Sequence, residues 1–157
     1  MTQRSITGQP PLPRTARSLP IALLRARETV MAPIREMLAE SGVNEQKWRV
    51  LRVLDEAGPM DQSLLARQAC LQLPSLTRIL RTMEARGLIA RAMDNDDRRR
   101  SVVSITEAGR AVIARHAATS RALFAELEAA YGKARMEQLL DLLEALDATA
   151  LPAPFRR

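Results

Sequence analysis

Apolar residues recur at helical spacing through most of the chain, and the interruptions divide it into six helices and one hairpin. Ser18 stands where a helix cap belongs, with Pro20 tolerated in the first turn; this helix is expected to reach Ser41–Gly42, kinked or short of one bond at Pro33. Its seam reads Leu24, Arg27, Met31, Ile34 and Leu38. Asn44 caps a second helix that turns Trp48, Leu51 and Leu54 inward and ends near Ala57–Gly58. Asp61 caps a short third helix to Ala69, with Leu64 and Leu65 facing inward, and Cys70–Leu73 makes a tight connection. A fourth helix starts at Pro74, buries Leu76, Ile79, Leu80 and Met83, and stops at Arg86–Gly87, where glycine takes the left-handed closing conformation.

After Gly87 the period becomes extended. Leu88–Met93 and Ser101–Ile105 read as two strands joined by the turn-rich tip DNDDRRR, residues 94–100. Thr106 caps a long helix with Glu107 in its first turn and an apolar stripe of Val112, Ile113, Ala117, Leu123, Phe124 and Leu127. It breaks at Tyr131–Gly132. The last helix aligns Met136, Leu139, Leu140, Leu143 and Leu146 at near-heptad spacing, and Pro152 stops it.

Helix, turn, helix and basic hairpin together predict a mainly α fold with a small β-hairpin wing, a winged helix-turn-helix over residues 44–106. Residues 1–17 read as a flexible arm, and residues 18–43 and 107–151 as a helical dimerisation region, because the end helices carry more apolar surface than one small module needs. A homodimer matches a palindromic site on double-stranded DNA. The outer face of the fourth helix carries Ser75, Thr77, Arg78 and Arg81: two small hydroxyls that allow close approach, and arginines able to bond guanine bidentately in a major groove.

Charge supports that direction. The chain holds 24 basic and 18 acidic residues, a net +6, and only Lys47 and Lys133 of the basic set are lysine. Arginines 78, 81, 86, 91, 98, 99 and 100 concentrate on the proposed DNA face, which favours an anionic polymer, and no long apolar run suits a membrane. No apolar leader segment is apparent, and the protein is expected in the cytoplasm. The one cysteine, Cys70, excludes an internal disulfide and has no neighbouring histidine or lysine, so it reads as a small buried hydrophobe rather than a redox sensor. His116, the one histidine, lies on a polar stretch and needs no functional explanation.

Two features point to a ligand without settling it. Arg27 interrupts an apolar stripe, so it snorkels to solvent, pairs with a carboxylate, or meets an anionic ligand. Trp48 and Arg52 share one helix face: either a core anchor beside a surface residue able to meet Glu56, or a ring and a guanidinium that take an aromatic acid.

The stretch LPSLTRILRTMEARGLIAR followed by DDRRRSVVSIT resembles the recognition helix and wing of MarR-type transcriptional regulators. The wing pattern of that family is met by Asp97, Arg99, Val103, Ile105 and Thr106, with isoleucine replacing the usual leucine at 105. The resemblance implies that Asp97 braces Arg99 and that Arg99 reaches into the minor groove; Arg98 and Arg100 belong to the same basic hairpin tip, which a winged helix-turn-helix lays along the DNA backbone or minor groove. The segments IALLRARETVM, EQKWRVLRVL and RQACLQLPSLTRILRTMEARGL are similar to a subgroup that regulates homoprotocatechuate or 4-hydroxyphenylacetate degradation operons; the likeness covers roughly residues 18–147. It implies a pocket for a small phenolic acid effector lined by Ser18, Arg27, Met31, Trp48 and Arg52, with Ile113 standing where a close relative presents a phenol.

The expectation is therefore a dimeric repressor of aromatic-acid catabolic genes, released from its operator by a phenolic acid, without cofactor or metal. One histidine, one cysteine and no glycine-rich phosphate loop leave no constellation for an enzyme. A non-specific architectural DNA-binding protein shares the charge, but not the reason for Ser75, Thr77 and Arg78 on one helical face.

Overall fold

The chain was analysed as a computed structural model that describes residues 14–93 and 101–149. After a 3-10 turn at Thr15–Arg17, the elements run α1 (Leu19–Leu38), α2 (Glu45–Ala57), β1 (Met60–Asp61), α3 (Gln62–Gln68), α4 (Leu73–Ala85), β2 (Ile89–Met93), β3 (Ser101–Ile105), α5 (Glu107–Tyr131) and α6 (Lys133–Asp147).

The caps explain most of these boundaries. The Asn44 side chain accepts the Lys47 N–H at 3.0 Å, and Asp61 accepts from Ser63 and Leu64 at 2.9 and 3.0 Å. Thr106 serves three elements at once: its hydroxyl donates to the Gly87 carbonyl after α4 and accepts the Gly109 N–H that opens α5, immediately after β3. Ser18 occupies the capping position of α1 but does not cap it. Pro20 removes one of the N–H groups a cap would bind, and the hydroxyl turns back to donate to the Thr15 carbonyl at 3.2 Å. α1 passes through Pro33 without a break and closes at Leu38, earlier than expected, where Ser41 Oγ takes over the Leu38 carbonyl at 2.7 Å.

The sheet is antiparallel in the order β1-β3-β2. Ile89 faces Ile105 and Met93 faces Ser101, the hairpin expected from the sequence. β1 was not expected. It pairs Met60 with Val103 and Asp61 with Val102, so the residue that caps α3 also joins the sheet. The core lies inside the helix-turn-helix, where Leu51, Leu65, Leu76, Leu80, Met83 and Val103 are fully enclosed. Leu65 is buried as expected and Leu64 is only half-buried. α6 rests on α5 and buries no residue within a single chain, leaving Leu140, Leu142, Leu143 and Leu146 open.

Two arginines hold the recognition helix from outside. Arg49 Nη1 donates to the Ala69 and Cys70 carbonyls, at 2.9 and 3.3 Å, in the turn before α4. Arg86 donates to the Gly42 and Ser41 carbonyls in the loop after α1, tying down the other end.

Two expectations need correction. Cys70 is exposed rather than buried: the turn places it at a positive φ of 51°, and its neighbour Ala69 takes the inward position. His116 lies inside the protein. It continues the buried face Gly109, Ile113, His116, Ser120 of α5, and meets the Trp48 ring edge-on, centroids 5.9 Å apart.

Candidate DNA interface and effector cleft

On α4 the buried stripe is the one expected, so the opposite face is set by geometry. Arg78 and Arg81 are exposed, and neither has a partner among the described residues, leaving both guanidiniums free to donate. Ser75 and Thr77 are half-buried beside them; the Thr77 hydroxyl donates to the Leu73 carbonyl at 3.0 Å and keeps its lone pairs for an incoming donor. Asp97, Arg98, Arg99 and Arg100, the hairpin tip, lie outside the described residues.

The base of the wing is fastened to α4 by a pair that the sequence did not signal. Arg91 on β2 grips Glu84 with both Nε, at 2.9 Å, and Nη2. The Arg91 hydrogen bond holds the Glu84 carboxyl below its ordinary value of 4.5, and the same bond raises Arg91. A carboxyl depressed on folding contributes stability that is present above the unfolded value and lost as pH falls through the folded one. Glu84 is therefore expected to titrate below 4.5 by NMR, and to return towards that value in Arg91→Met.

On the other side, α1, α2, α5 and the α3–α4 turn enclose a cleft of about 750 Å³. Met31, Trp48 and Arg52, expected together, all line it. Ile34, Val53 and Phe124 extend its apolar wall, and Arg49 and Arg121 join Arg52 as cations against a single carboxylate, Glu128. Ser120 lines the same space, nine-tenths buried, and its hydroxyl has no partner among the described residues. Aromatic surface beside clustered guanidiniums suits an aromatic acid. Arg52 also stands 4.0 Å from Glu56, as its surface reading supposed; an exposed pair at that distance is worth roughly 0–1 kcal/mol and does not hold it from a ligand.

The remaining expected residues are elsewhere. Arg27 pairs with Glu45, half-exposed to solvent, and lines a separate cleft of about 610 Å³ with Arg35 and Lys47, so both the carboxylate and the solvent explanations describe its place in the stripe. Glu45 also lies 3.4 Å from Arg35 and 3.9 Å from Arg49, so one mostly buried carboxylate faces three guanidiniums across α1 and α2. Ser18 lines neither cleft, and Ile113 belongs to the core.

Arg49, Ser120 and His116 were missed. Ser120 and His116 fall on the Gly109–Ile113 face at helical spacing, which was the available signal, but their polarity kept them out of an apolar stripe. Among the described residues, His116 Nε2 is buried without a partner, and so is Arg49 Nε. Among the described residues no helix is long and apolar enough to cross a membrane, and no cluster of His, Cys, Asp or Glu is arranged for a metal.

Comparison with known proteins identifies the family. The MarR family profile matches residues 43–101, which span the helix-turn-helix and reach into β3. The homoprotocatechuate degradative operon repressor of Escherichia coli is 39% identical over 127 residues, 81% of this chain and 86% of its own. The chain belongs to the MarR family.

Within that family, the crystal structure of NadR in complex with 4-hydroxyphenylacetate superposes with a TM-score of 0.78 at 33% identity, covering 89% of this chain and 99% of that one. The repressor CouR, bound to a 23-mer DNA duplex, superposes at 0.71 with 28% identity over 84% of this chain and 94% of its own. This protein is a MarR-family transcriptional repressor with a winged helix-turn-helix, and that regulator family is not an enzyme class.

Proposed function

We propose that this MarR repressor binds palindromic operator DNA as a homodimer, controls genes of aromatic-acid breakdown, and leaves the operator when a hydroxyphenylacetate-type acid enters the 750 Å³ cleft. The observation that carries the reading is the meeting of Met31, Trp48 and Arg52 in that cleft, in a fold that NadR shares with 4-hydroxyphenylacetate bound. The aromatic ring packs on Trp48 and the apolar wall; the carboxylate is taken by the arginines.

In this reading residues 44–106 meet DNA, and residues 18–43 and 107–151 form the dimer. The open leucines of α6, together with Leu19 and Leu23 of α1, support the second assignment, since such a surface is costly to leave in water. Ser75, Thr77, Arg78 and Arg81 face the bases, and Asp97 with Arg98–Arg100 reach the backbone and minor groove. A repressor acting on chromosomal DNA works in the cytoplasm, and that is the location we propose.

An acid that binds the operator-free protein about 1.4 kcal/mol more tightly than the operator-bound one lowers operator affinity tenfold at saturation. Binding to the DNA upstream of its own gene and its neighbours, with and without 4-hydroxyphenylacetate, 3-hydroxyphenylacetate and homoprotocatechuate, tests this. Tight specific binding, weakened about tenfold or more by one of the three, is the expected result. Specific binding indifferent to all three refutes the effector class, and equal affinity for random DNA at two salt concentrations refutes the operator.

A further inference from the structure

Among the described residues, Arg49 is the one side chain that both lines the effector cleft and is hydrogen-bonded to the turn between the two helices of the DNA-binding motif. Its guanidinium is divided. Nη1 is committed to the Ala69 and Cys70 carbonyls, Nη2 is only loosely placed 3.9 Å from Glu45, and Nε is buried with no partner. Nε and Nη2 form the edge of a guanidinium that fits a carboxylate bidentately, so the engaged side faces the turn and the other side, enclosed at Nε, still lacks an acceptor.

We propose that Arg49 is an effector-contacting residue, taking the carboxylate of the acid on its Nε–Nη2 edge and transmitting binding to the α3–α4 turn through Nη1. This rests on the effector reading above and adds the route. Because Nε is enclosed, a carboxylate reaches it only if the guanidinium shifts, and the shift is passed to the Ala69 and Cys70 carbonyls in the turn that leads into α4. Cys70 already holds a positive φ there, a conformation that non-glycine residues adopt only where the surroundings impose it. Arg52, on the same cleft, has no hydrogen bond to the turn among the described residues and supplies affinity without the coupling.

Two readouts separate these roles. Trp48 is the only tryptophan and lines the cleft, so its fluorescence reports occupancy, while operator binding with and without saturating acid reports coupling. The probes are 4-hydroxyphenylacetate, homoprotocatechuate and the neutral 4-hydroxyphenylacetamide, compared in the full-length wild type, Arg49→Met and Arg52→Met. Both acids, but not the amide, are expected to perturb Trp48 in the wild type. Arg52→Met should need about tenfold more acid yet reach the wild-type ratio of operator affinities at saturation. Arg49→Met should still register acid at higher concentration, but its operator affinities with and without acid should differ by less than about twofold.

A wild-type ratio retained in Arg49→Met overturns the proposal. If that variant loses DNA binding altogether, hydrogen exchange in the wild type decides. The Cys70 and Leu71 amides, bonded to the Arg67 and Ala66 carbonyls, must exchange differently with acid bound, and unchanged protection overturns the proposal. A wild type whose Trp48 and operator affinity ignore all three compounds rejects the effector reading itself, and the Arg49 route with it.

Discussion

Gly109→Ala is expected to destabilise the protein by about 3 kcal/mol or more, the upper end of what overpacking costs. The sign is opposite to the usual one, since alanine in a helix normally gains close to 1 kcal/mol over glycine. Gly109 opens α5 where the helix crosses the base of the wing, and a methyl there would lie 2.3 Å from the Leu88 carbonyl oxygen and 2.7 Å from Ile105 Cγ1. The first neighbour is backbone and cannot rotate away. Leu88 is fixed by its bond to Met83, and its carbonyl accepts the Thr106 N–H, so yielding would disturb α4, the wing and α5 together. Urea unfolding of Gly109→Ala beside Gly58→Ala, where the space around the residue is open, separates crowding from backbone strain. Equal losses in the two would refute the steric account.

Arg78→Ala is expected to remove about 1–3 kcal/mol of discrimination between operator and random DNA, the worth of one bidentate base contact. Loss of a phosphate contact would lower affinity for both sequences and reduce the salt dependence by about one counterion. Arg78 is exposed, unpaired among the described residues, and one helical turn from Ser75 and Arg81 on the same face. Titration of wild type and variant on both DNAs at two salt concentrations distinguishes the cases; an equal drop on both sequences would assign Arg78 to the backbone.

The elements that a periodic pattern controls were legible in the sequence. α4 buries Leu76, Ile79, Leu80 and Met83 as its spacing requires, and Asn44, Asp61 and Thr106 cap where their chemistry suggests. β1 was not, because two residues are too short to show a period; only the partner strand brings them into a sheet. In the cleft, Met31, Trp48 and Arg52 were found from local spacing together with the family resemblance. Arg27 met Glu45, 18 residues away, instead of the cleft, and Ile113 went to the core. Cys70 and His116 were misjudged for one reason: the environment of each is made by distant residues, an arginine of α2 holding the turn in one case and the Trp48 ring in the other. Pairings between elements leave no mark on either partner's own neighbourhood in the chain.

The Arg86 bonds to the loop after α1 give α4 a fixed rear end. A helix of 13 residues is about 20 Å long, so a tilt of about 10° around that end carries its front by about 3.5 Å. That is about the rise of one base pair. The residues nearest the fulcrum scarcely move, while Ser75 near the front is carried by about 3 Å, close to a whole reading position, and Arg78 by about 2 Å. A modest rotation can therefore put the protein out of register with its operator while its fold, and most of its backbone contacts, stay intact.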